Sequence, residues 1–165
     1  SFFIFVVISK ILDFLDGSNF VSQLKEVSQY LETLSGMNDE SEINKLSLEI
    51  LNLVKFDKVH VAAYSERKGT YAFRKIDDNL TQQEKRRRLN VVNELQDKIQ
   101  FELNSKYLDS EQDVLVEGYI RNKLYGRTEG DKLVYIENAD DSVIGKIQKT
   151  KIIEISSYSL IGAKI

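Results

Sequence analysis

The sequence predicts an α/β region, then one long helix and then a small all-β module. An apolar segment, Val59–Tyr64, follows two stretches in which apolar residues recur at helical steps of three and four. The same helical spacing returns from Thr81 to about Tyr107. Beyond Val114, short apolar segments alternate with turn residues, which is typical of a barrel or sandwich. The predicted domains are an α/β region at residues 1–80, a connecting helix at 81–108 and a β-barrel at 109–165.

The composition is that of an ordinary globular protein. Hydrophobic residues make up 42% of the 165 residues and charged residues 30%. The formal net charge of −3 gives no general reason to expect binding to nucleic acids or membranes. The absence of cysteine excludes disulfides, thiolate zinc sites and protein-ligated iron–sulfur clusters within this chain. One histidine, His60, supports neither a multi-histidine metal site nor a Ser/His/Asp triad, and we predict no metal-binding and no catalytic residue in this chain.

The first residues point to a fragment, a processed product or an incomplete reading frame. The chain begins at Ser1, and its one methionine is Met37. The apolar run Phe2–Ile8 is far shorter than the about 20 residues that a transmembrane helix needs, and it lacks the basic start of a signal peptide. We expect it to be a buried strand, while the origin of residues 1–34 stays open.

Two helices and a strand are expected before residue 65. The helices are Phe20–Leu34 and about Ser41–Val54, and the strand Val59–Tyr64 would complete a parallel unit with His60 packed inside it. Ligands of parallel sheets lie beyond the carboxyl ends of the strands, where the loop Ser65–Thr70 falls. The alternative for this loop is a solvated turn in which Gly69 supplies a positive φ.

The connecting helix begins with a basic cluster. Thr81 and Glu84 form a T-x-x-E capping box. The first turns then carry Lys85, Arg86, Arg87 and Arg88. Because positive charge is unfavourable at a helix N-terminus, the cluster indicates an external anion such as RNA phosphate. A solvated basic face is an equally good explanation.

Five strands are expected in the β module, which suits an OB-like barrel. They are Val114–Ile120, Leu124–Thr128, Leu133–Glu137, Ile144–Ser156 and Tyr158–Ile165. Four basic residues cluster around two of the hairpins, with tyrosines interleaved: Arg121, Lys123, Arg127 and Lys132, with Tyr119, Tyr125 and Tyr135. Single-stranded RNA is bound by such a combination of phosphate neutralisation and stacking. The alternative is that the tyrosines are core residues and the basic residues are solvated surface.

Several stretches, in the same order, resemble one known family. They are FDKVHVAAYSERKGTYA, EKRRRLNVVNELQDKIQFELN, VLVEGYIRNKLYGRTEGDKLVYI and the S-L-x-G ending at Ser159–Gly162. The chain resembles the C-terminal portion of the tRNA methylthiotransferases of the MiaB type, which are radical-SAM enzymes with a TRAM domain. The resemblance implies a partial radical-SAM (β/α) barrel in residues 1–80 and a small five-stranded TRAM barrel at the end.

Family members add a methylthio group to a modified adenosine next to the tRNA anticodon, using 4Fe–4S clusters and S-adenosylmethionine. The resemblance therefore implies tRNA as partner, the missing N-terminal part of the enzyme as a second partner, no membrane, and a cytoplasmic or, in a eukaryote, organellar location. Because the CxxxCxxC motif is absent, we expect no cofactor to be bound by this chain and no turnover by it alone.

The resemblance also implies two sets of site residues. The first set would close the rim of the S-adenosylmethionine and substrate site: Tyr64, Ser65, Arg67, Gly69 and Thr70. The second set would face RNA: Arg121, Lys123, Tyr125, Arg127, Lys132, Arg86 and Arg87. Where the family has R-P-G-T, this chain has Arg67–Lys68–Gly69–Thr70.

Three other hypotheses stay open at this point. The chain could be a stand-alone TRAM-type RNA-binding protein without catalytic activity. It could be a degenerate product in which residues 1–80 fold poorly, since a partial barrel leaves open sheet edges. Catalysis by Glu66 and Arg67 is a weaker hypothesis, because the two residues are more simply explained as a surface ion pair.

Overall fold

The computed structural model describes residues 29, 33, 40–63, 65, 67–75, 80–120 and 123–165. The chain divides into two compact units, Ser1–Gln96 and Asp97–Ile165. The predicted strand at Phe2–Ile8 lies outside the described residues. Of the predicted helix Phe20–Leu34, the structure describes two residues, Gln29 and Thr33, and both are helical.

Helix α1 spans Glu40–Val54, close to the predicted bounds. Ile50 and Leu51 are buried on its inner side, as the helical spacing predicts. The helix ends at a left-handed residue, Lys55, which has a φ of 51° and donates its backbone N–H to the Leu51 carbonyl at 3.0 Å. This geometry satisfies a carbonyl of the last turn that has no partner within the helix.

The predicted strand Val59–Tyr64 is wrong over its described residues, 59–63, which are irregular. Val59 and Val61 are half-buried and His60 is exposed, so the prediction of a packed core histidine is also wrong. A strand is stable only when its backbone groups pair with another strand. No second strand occurs among the described residues of the Ser1–Gln96 unit, so this apolar segment has no partner there.

A short helix that the sequence did not predict, α2, spans Tyr71–Lys75. Thr70 caps its start, because its Oγ1 accepts a hydrogen bond from the Phe73 backbone N–H at 3.2 Å. A helix of one turn is too short to show a periodic apolar pattern, which explains why the spacing gave no signal.

Helix α3 spans Gln82–Ser105 and ends slightly before the predicted Tyr107. The Thr81 half of the predicted capping box is confirmed, since Thr81 Oγ1 accepts a hydrogen bond from the Glu84 backbone N–H at 3.2 Å. Its buried positions follow the helical spacing along one side: Lys85, Arg88, Val92, Gln96, Ile99, Leu103 and Asn104. Among the described helices, none is both long and apolar enough to cross a membrane.

Five strands close into a barrel in the order β1-β2-β3-β5-β4. The strands are β1 Glu111–Ile120, β2 Lys123–Thr128, β3 Leu133–Glu137, β4 Ile147–Ile155 and β5 Leu160–Lys164. The β3–β5 pair is parallel and every other neighbouring pair is antiparallel. The predicted small five-stranded OB-like barrel is therefore confirmed.

The fourth strand starts later than predicted. Asp141–Val143 forms a turn of 3₁₀-helix, and Gly145 follows with a φ of 77°. This left-handed glycine cannot belong to a strand, so the predicted start at Ile144 is wrong and β4 begins at Ile147.

The barrel interior is filled by aliphatic side chains from all five strands. Its buried members are Val114, Val116, Leu124, Val134, Ile136, Val143, Ile152 and Leu160. Two inward positions are glycines that neighbouring strands approach closely. A Cβ at Gly126 would lie 2.2 Å from the Leu115 carbonyl oxygen, and one at Gly162 would lie 2.4 Å from Thr150 Cγ2. The barrel closes at these points only because both residues lack a side chain.

Candidate nucleic-acid interface

The outer face of β2 carries three of the predicted RNA-binding residues. Lys123 and Arg127 are exposed and Tyr125 is half-buried, while the residues between them point into the barrel. This follows from the two-residue period of a strand. The alternation therefore places one lysine, one tyrosine and one arginine along a single line on the barrel surface.

An aromatic pair lies at the centre of this face. Tyr125 on β2 stands directly opposite Tyr135 on β3, and both are half-buried. On the other side, Tyr125 pairs with Gly118 of β1, and a Cβ at Gly118 would lie 3.8 Å from Tyr125 Cε1. The glycine therefore leaves the surface beside this ring uncovered by a side chain. The pair offers aromatic surface on which an unpaired base could stack.

A β-bulge in β1 lies beside the aromatic pair. The register of β1 against β2 shifts between Val116 and Gly118, so Glu117 is the extra residue. Gly118 has a φ of 154°, a conformation that residues with side chains rarely adopt. The Glu117 carboxylate lies on the outer face, with Oε1 3.6 Å from Arg127 Nε.

Arg127 has a second acidic neighbour in the β2–β3 turn. Its Nη1 lies 3.2 Å from Asp131 Oδ1 and 3.3 Å from the Asp131 carbonyl oxygen. The turn itself is fixed by Thr128, whose Oγ1 accepts a hydrogen bond from the Lys132 backbone N–H at 3.1 Å. Arg127 is therefore an exposed arginine with a carboxylate on either side.

The other predicted barrel residues occupy different environments. Lys123 is exposed at the start of β2, opposite Ile120. Lys132 is half-buried, with Nζ 5.9 Å from the centre of the Tyr107 ring, a distance at which a cation and an aromatic ring attract each other. Arg121 lies outside the described residues. Tyr119 donates its hydroxyl hydrogen bond to the Asp141 carboxylate, and this bond raises the pKa of Tyr119.

The basic cluster of α3 separates into buried and exposed members. Lys85 and Arg88 are buried, with 1% and 6% of their surface exposed, so neither is presented to an external anion. Arg87 donates two hydrogen bonds of 2.7 Å to Glu84. The bonds from Arg87, and then from Arg88, lower the pKa of Glu84 from 4.5 to about 2. Arg86 is exposed.

The predicted rim loop forms a capped turn. Ser65, Arg67, Gly69 and Thr70 are exposed, and Tyr64 lies outside the described residues. Gly69 has the predicted positive φ, 87°, and the Thr70 hydroxyl donates a hydrogen bond of 2.8 Å to the Arg67 carbonyl. The geometry of the turn is therefore a sufficient reason for the glycine at position 69 and the threonine at position 70. A role at a cofactor site stays a prediction.

The residues of this chain do not fit the family's iron–sulfur clusters. Such clusters are held by cysteine thiolates, and the sequence contains no cysteine. Among the described residues, no group of three or more His, Asp or Glu could hold a metal ion.

Glu117 and Asp131 are the residues of this surface that sequence reasoning missed. A signal was present, since both belong to the stretches VLVEG and GRTEGD that carry the resemblance. Both carboxylates reach Arg127 because of the β-bulge in β1 and the β2–β3 turn. Neither feature can be predicted from the number of charged residues in the sequence.

Residues 105–165 match the TRAM domain family. The chain is 36% identical over 138 residues to a tRNA-2-methylthio-N(6)-dimethylallyladenosine synthase of Dehalococcoides mccartyi strain CBDB1, covering 83% of this chain and 33% of that protein. Proteins with the same name are 33% identical in Bacteroides thetaiotaomicron, covering 81% of this chain and 30% of the relative, and 38% identical in Fervidobacterium nodosum, covering 77% and 29%.

The similarity reaches beyond the barrel, because it extends over more than three quarters of this chain. The chain spans about one third of the length of these curated relatives. The predicted resemblance is thereby confirmed: residues 105–165 match the TRAM domain family, and the chain is similar to proteins named tRNA-2-methylthio-N(6)-dimethylallyladenosine synthase.

Proposed function

We propose that this chain is the C-terminal part of a tRNA methylthiotransferase and that its barrel binds the tRNA. In this proposal the complete enzyme methylthiolates the adenosine next to the anticodon. The TRAM match and the names of the relatives support the proposal. The observation that carries it is the outer face of the barrel, where Tyr125 and Tyr135 form a cross-strand pair on the same face as exposed Lys123.

This surface combines the two contributions that RNA without a partner strand requires. A base that stacks on an aromatic side chain gains about 1–3 kcal/mol, independently of its sequence. A lysine beside the stacked base neutralises phosphate and releases bound counterions, which makes the affinity fall with salt. The proposal therefore assigns stacking to Tyr125 and phosphate contact to Lys123, with Arg127, Lys132 and Arg121 proposed as further phosphate contacts. Arg86 and Arg87 are proposed as a further RNA contact on α3.

The chemistry is proposed to reside elsewhere in a longer enzyme. In the family, 4Fe–4S clusters and S-adenosylmethionine supply the methylthiolation chemistry, and this chain has no cysteine to hold a cluster. We propose that residues 1–80 complete the radical-SAM barrel and that Tyr64, Ser65, Arg67, Gly69 and Thr70 line its rim. The connecting helix at 81–108 and the barrel at 109–165 would then follow, in a cytoplasmic enzyme.

The extent of the similarity favours this proposal over a stand-alone TRAM-type RNA-binding protein. A module without the enzyme would need similarity only over the barrel. The matched stretch is 138 residues long, so it includes sequence before the TRAM domain at 105–165.

The test is a tRNA titration of the chain at about 50 and about 200 mM salt. We expect Lys123→Ala to reduce the log–log salt slope by about one, because one phosphate contact is lost. Lys45→Ala is the matched control, since Lys45 is an exposed lysine on α1.

Tyr125→Ala should weaken binding at both salt concentrations by about 1–3 kcal/mol and leave the slope unchanged. Tyr158→Ala is the control, because Tyr158 is an exposed tyrosine between β4 and β5 that donates its hydroxyl hydrogen bond to Asp97. Absence of tRNA binding by the unaltered chain at the lower salt concentration would contradict the proposal.

A further inference from the structure

Glu117 and Asp131 flank Arg127 on the proposed RNA face, and this arrangement has a direct electrostatic consequence. We infer that the two carboxylates limit the affinity of the barrel for RNA by competing with phosphate for the Arg127 guanidinium. The inference rests on the proposed function, because it assumes that this face meets RNA. It makes Glu117 and Asp131 residues that limit affinity, although neither needs to touch the nucleic acid.

Negative charge outweighs positive charge around Arg127. One guanidinium lies between two carboxylates, with Nε 3.6 Å from Glu117 Oε1 and Nη1 3.2 Å from Asp131 Oδ1. The three side chains together carry one net negative charge. An approaching phosphate therefore meets a locally repulsive group until at least one carboxylate moves away.

The ion pairs of Arg127 are long and exposed to solvent. Arg87 donates two hydrogen bonds of 2.7 Å to Glu84, which is the geometry of a strong bidentate pair. The contacts of Arg127 are 3.2–3.6 Å long, and its side chain is 43% exposed. Exposed pairs of this kind contribute little to stability, so the guanidinium can exchange a carboxylate for a phosphate. The arrangement thus weakens phosphate binding at Arg127 without abolishing it.

The local backbone holds the acidic residues in place. Glu117 is the bulged residue of β1, next to Gly118 with its φ of 154°. Asp131 has a φ of 64° and donates its backbone N–H to the Thr128 carbonyl at 2.9 Å. Both carboxylates therefore project from irregular positions of the barrel surface, and their approach to Arg127 does not rely on a regular cross-strand pair.

The test measures tRNA affinity of the full chain with Glu117→Gln and Asp131→Asn. Each change removes one negative charge at similar volume, and asparagine tolerates the left-handed φ at position 131. We expect each variant to bind tRNA about two- to fourfold more tightly at low salt, from removal of one repulsion at roughly 5 Å. Screening should erase this gain at high salt.

Glu111→Gln is the control, since Glu111 lies at the other end of β1, six residues from Glu117. Removal of this charge should change affinity much less, because six strand residues span about 20 Å, which exceeds the Debye length of about 14 Å at about 50 mM salt. Glu117→Gln should give a smaller gain when added to Arg127→Ala than when added to the unaltered chain, since the competition needs the guanidinium.

Unchanged or weaker binding by both acid variants would overturn the inference, and weaker binding would show that the carboxylates orient Arg127 instead. A gain as large in Glu111→Gln would overturn it as well, because the effect would then be one of net charge. If the unaltered chain fails to bind tRNA at any salt concentration, the proposed function itself is wrong, and the inference falls with it.

Discussion

Replacing Gly126 by alanine should open the barrel between β1 and β2. A Cβ at this position would lie 2.2 Å from the Leu115 carbonyl oxygen and 2.8 Å from both Leu115 C and Val114 Cγ1. Ordinary contact begins at 3.4 Å, so the strands must separate locally by about 1 Å. Because the obstacle is mostly backbone, a change of side-chain rotamer cannot relieve the clash.

The expected loss of stability follows from two contributions. Overpacking in a well-packed interior costs about 1–3 kcal/mol. Weakening one or two ladder hydrogen bonds adds about 0.5–1.5 kcal/mol for each bond. A domain of about 60 residues has a total stability of roughly 3–9 kcal/mol, so the variant should lose about half of it or more.

Hydrogen exchange of the barrel amides measures this free energy without requiring that the whole chain unfold in one step. Gly162→Ala should cost less, because its closest obstacle is the Thr150 methyl group at 2.4 Å. Gly145→Asn is the control, since Gly145 has a positive φ but open space around it. Protection of Gly126→Ala within about 0.5 kcal/mol of the unaltered chain would refute the argument from close approach.

Three further changes should act on the helices. Asn104→Ala should destabilise the barrel unit by about 1–3 kcal/mol in urea unfolding, because the Ser156 and Ser157 carbonyls lose their side-chain donor; no loss would contradict a structural role. Thr81→Ala should lower the stability of the first turn of α3 by about 1 kcal/mol, measured by amide exchange, whereas Thr81→Ser should not. The Glu84 ion pairs should stabilise that turn fully above about pH 4.5, because they favour the charged carboxylate and so lower its pKa in the folded chain. This stabilisation should be lost as the pH falls towards the folded pKa of about 2. Titration of the Glu84 carboxyl near 4.5 in the folded chain would contradict this.

The β module was the most predictable part of the fold, for a physical reason. Its strands alternate between buried aliphatic residues and exposed residues that are mostly polar, and that two-residue period is visible in a single sequence. The bounds of Leu133–Glu137 are the predicted ones. The start of β4 was misplaced because Ile144 continues the apolar pattern, although the left-handed Gly145 interrupts the strand.

The region before α3 was less predictable, because a strand there would need a neighbouring strand with which to pair. The segment Val59–Tyr64 is apolar enough for a strand, but apolar character does not supply a neighbouring strand. Lys85 shows a second limit. A lysine in a basic cluster is expected at the surface, yet Lys85 occupies the buried side of α3. Helical spacing predicts the side of the helix on which a residue lies, but it does not predict which charged residues are buried on that side.

For the candidate site, the sequence predicted the residue types and missed their mutual contacts. Tyr125, Lys123 and Arg127 share the outer face of β2, as their spacing requires. The neutralisation of Arg127 could not be foreseen, because it involves one residue from a bulge and another from a turn.

The position of β5 between β3 and β4 affects the order in which the barrel can form. β5 is the last of the five barrel strands in sequence, and it pairs with β3 on one side and with β4 on the other. During synthesis, β1 to β4 can associate as an open sheet, but the ring cannot close until Leu160–Lys164 has left the ribosome. Until then the edges of β3 and β4 are unpaired and prone to wrong associations. Closure of the barrel therefore depends on β5, and a chain cut before Leu160 should be prone to aggregation.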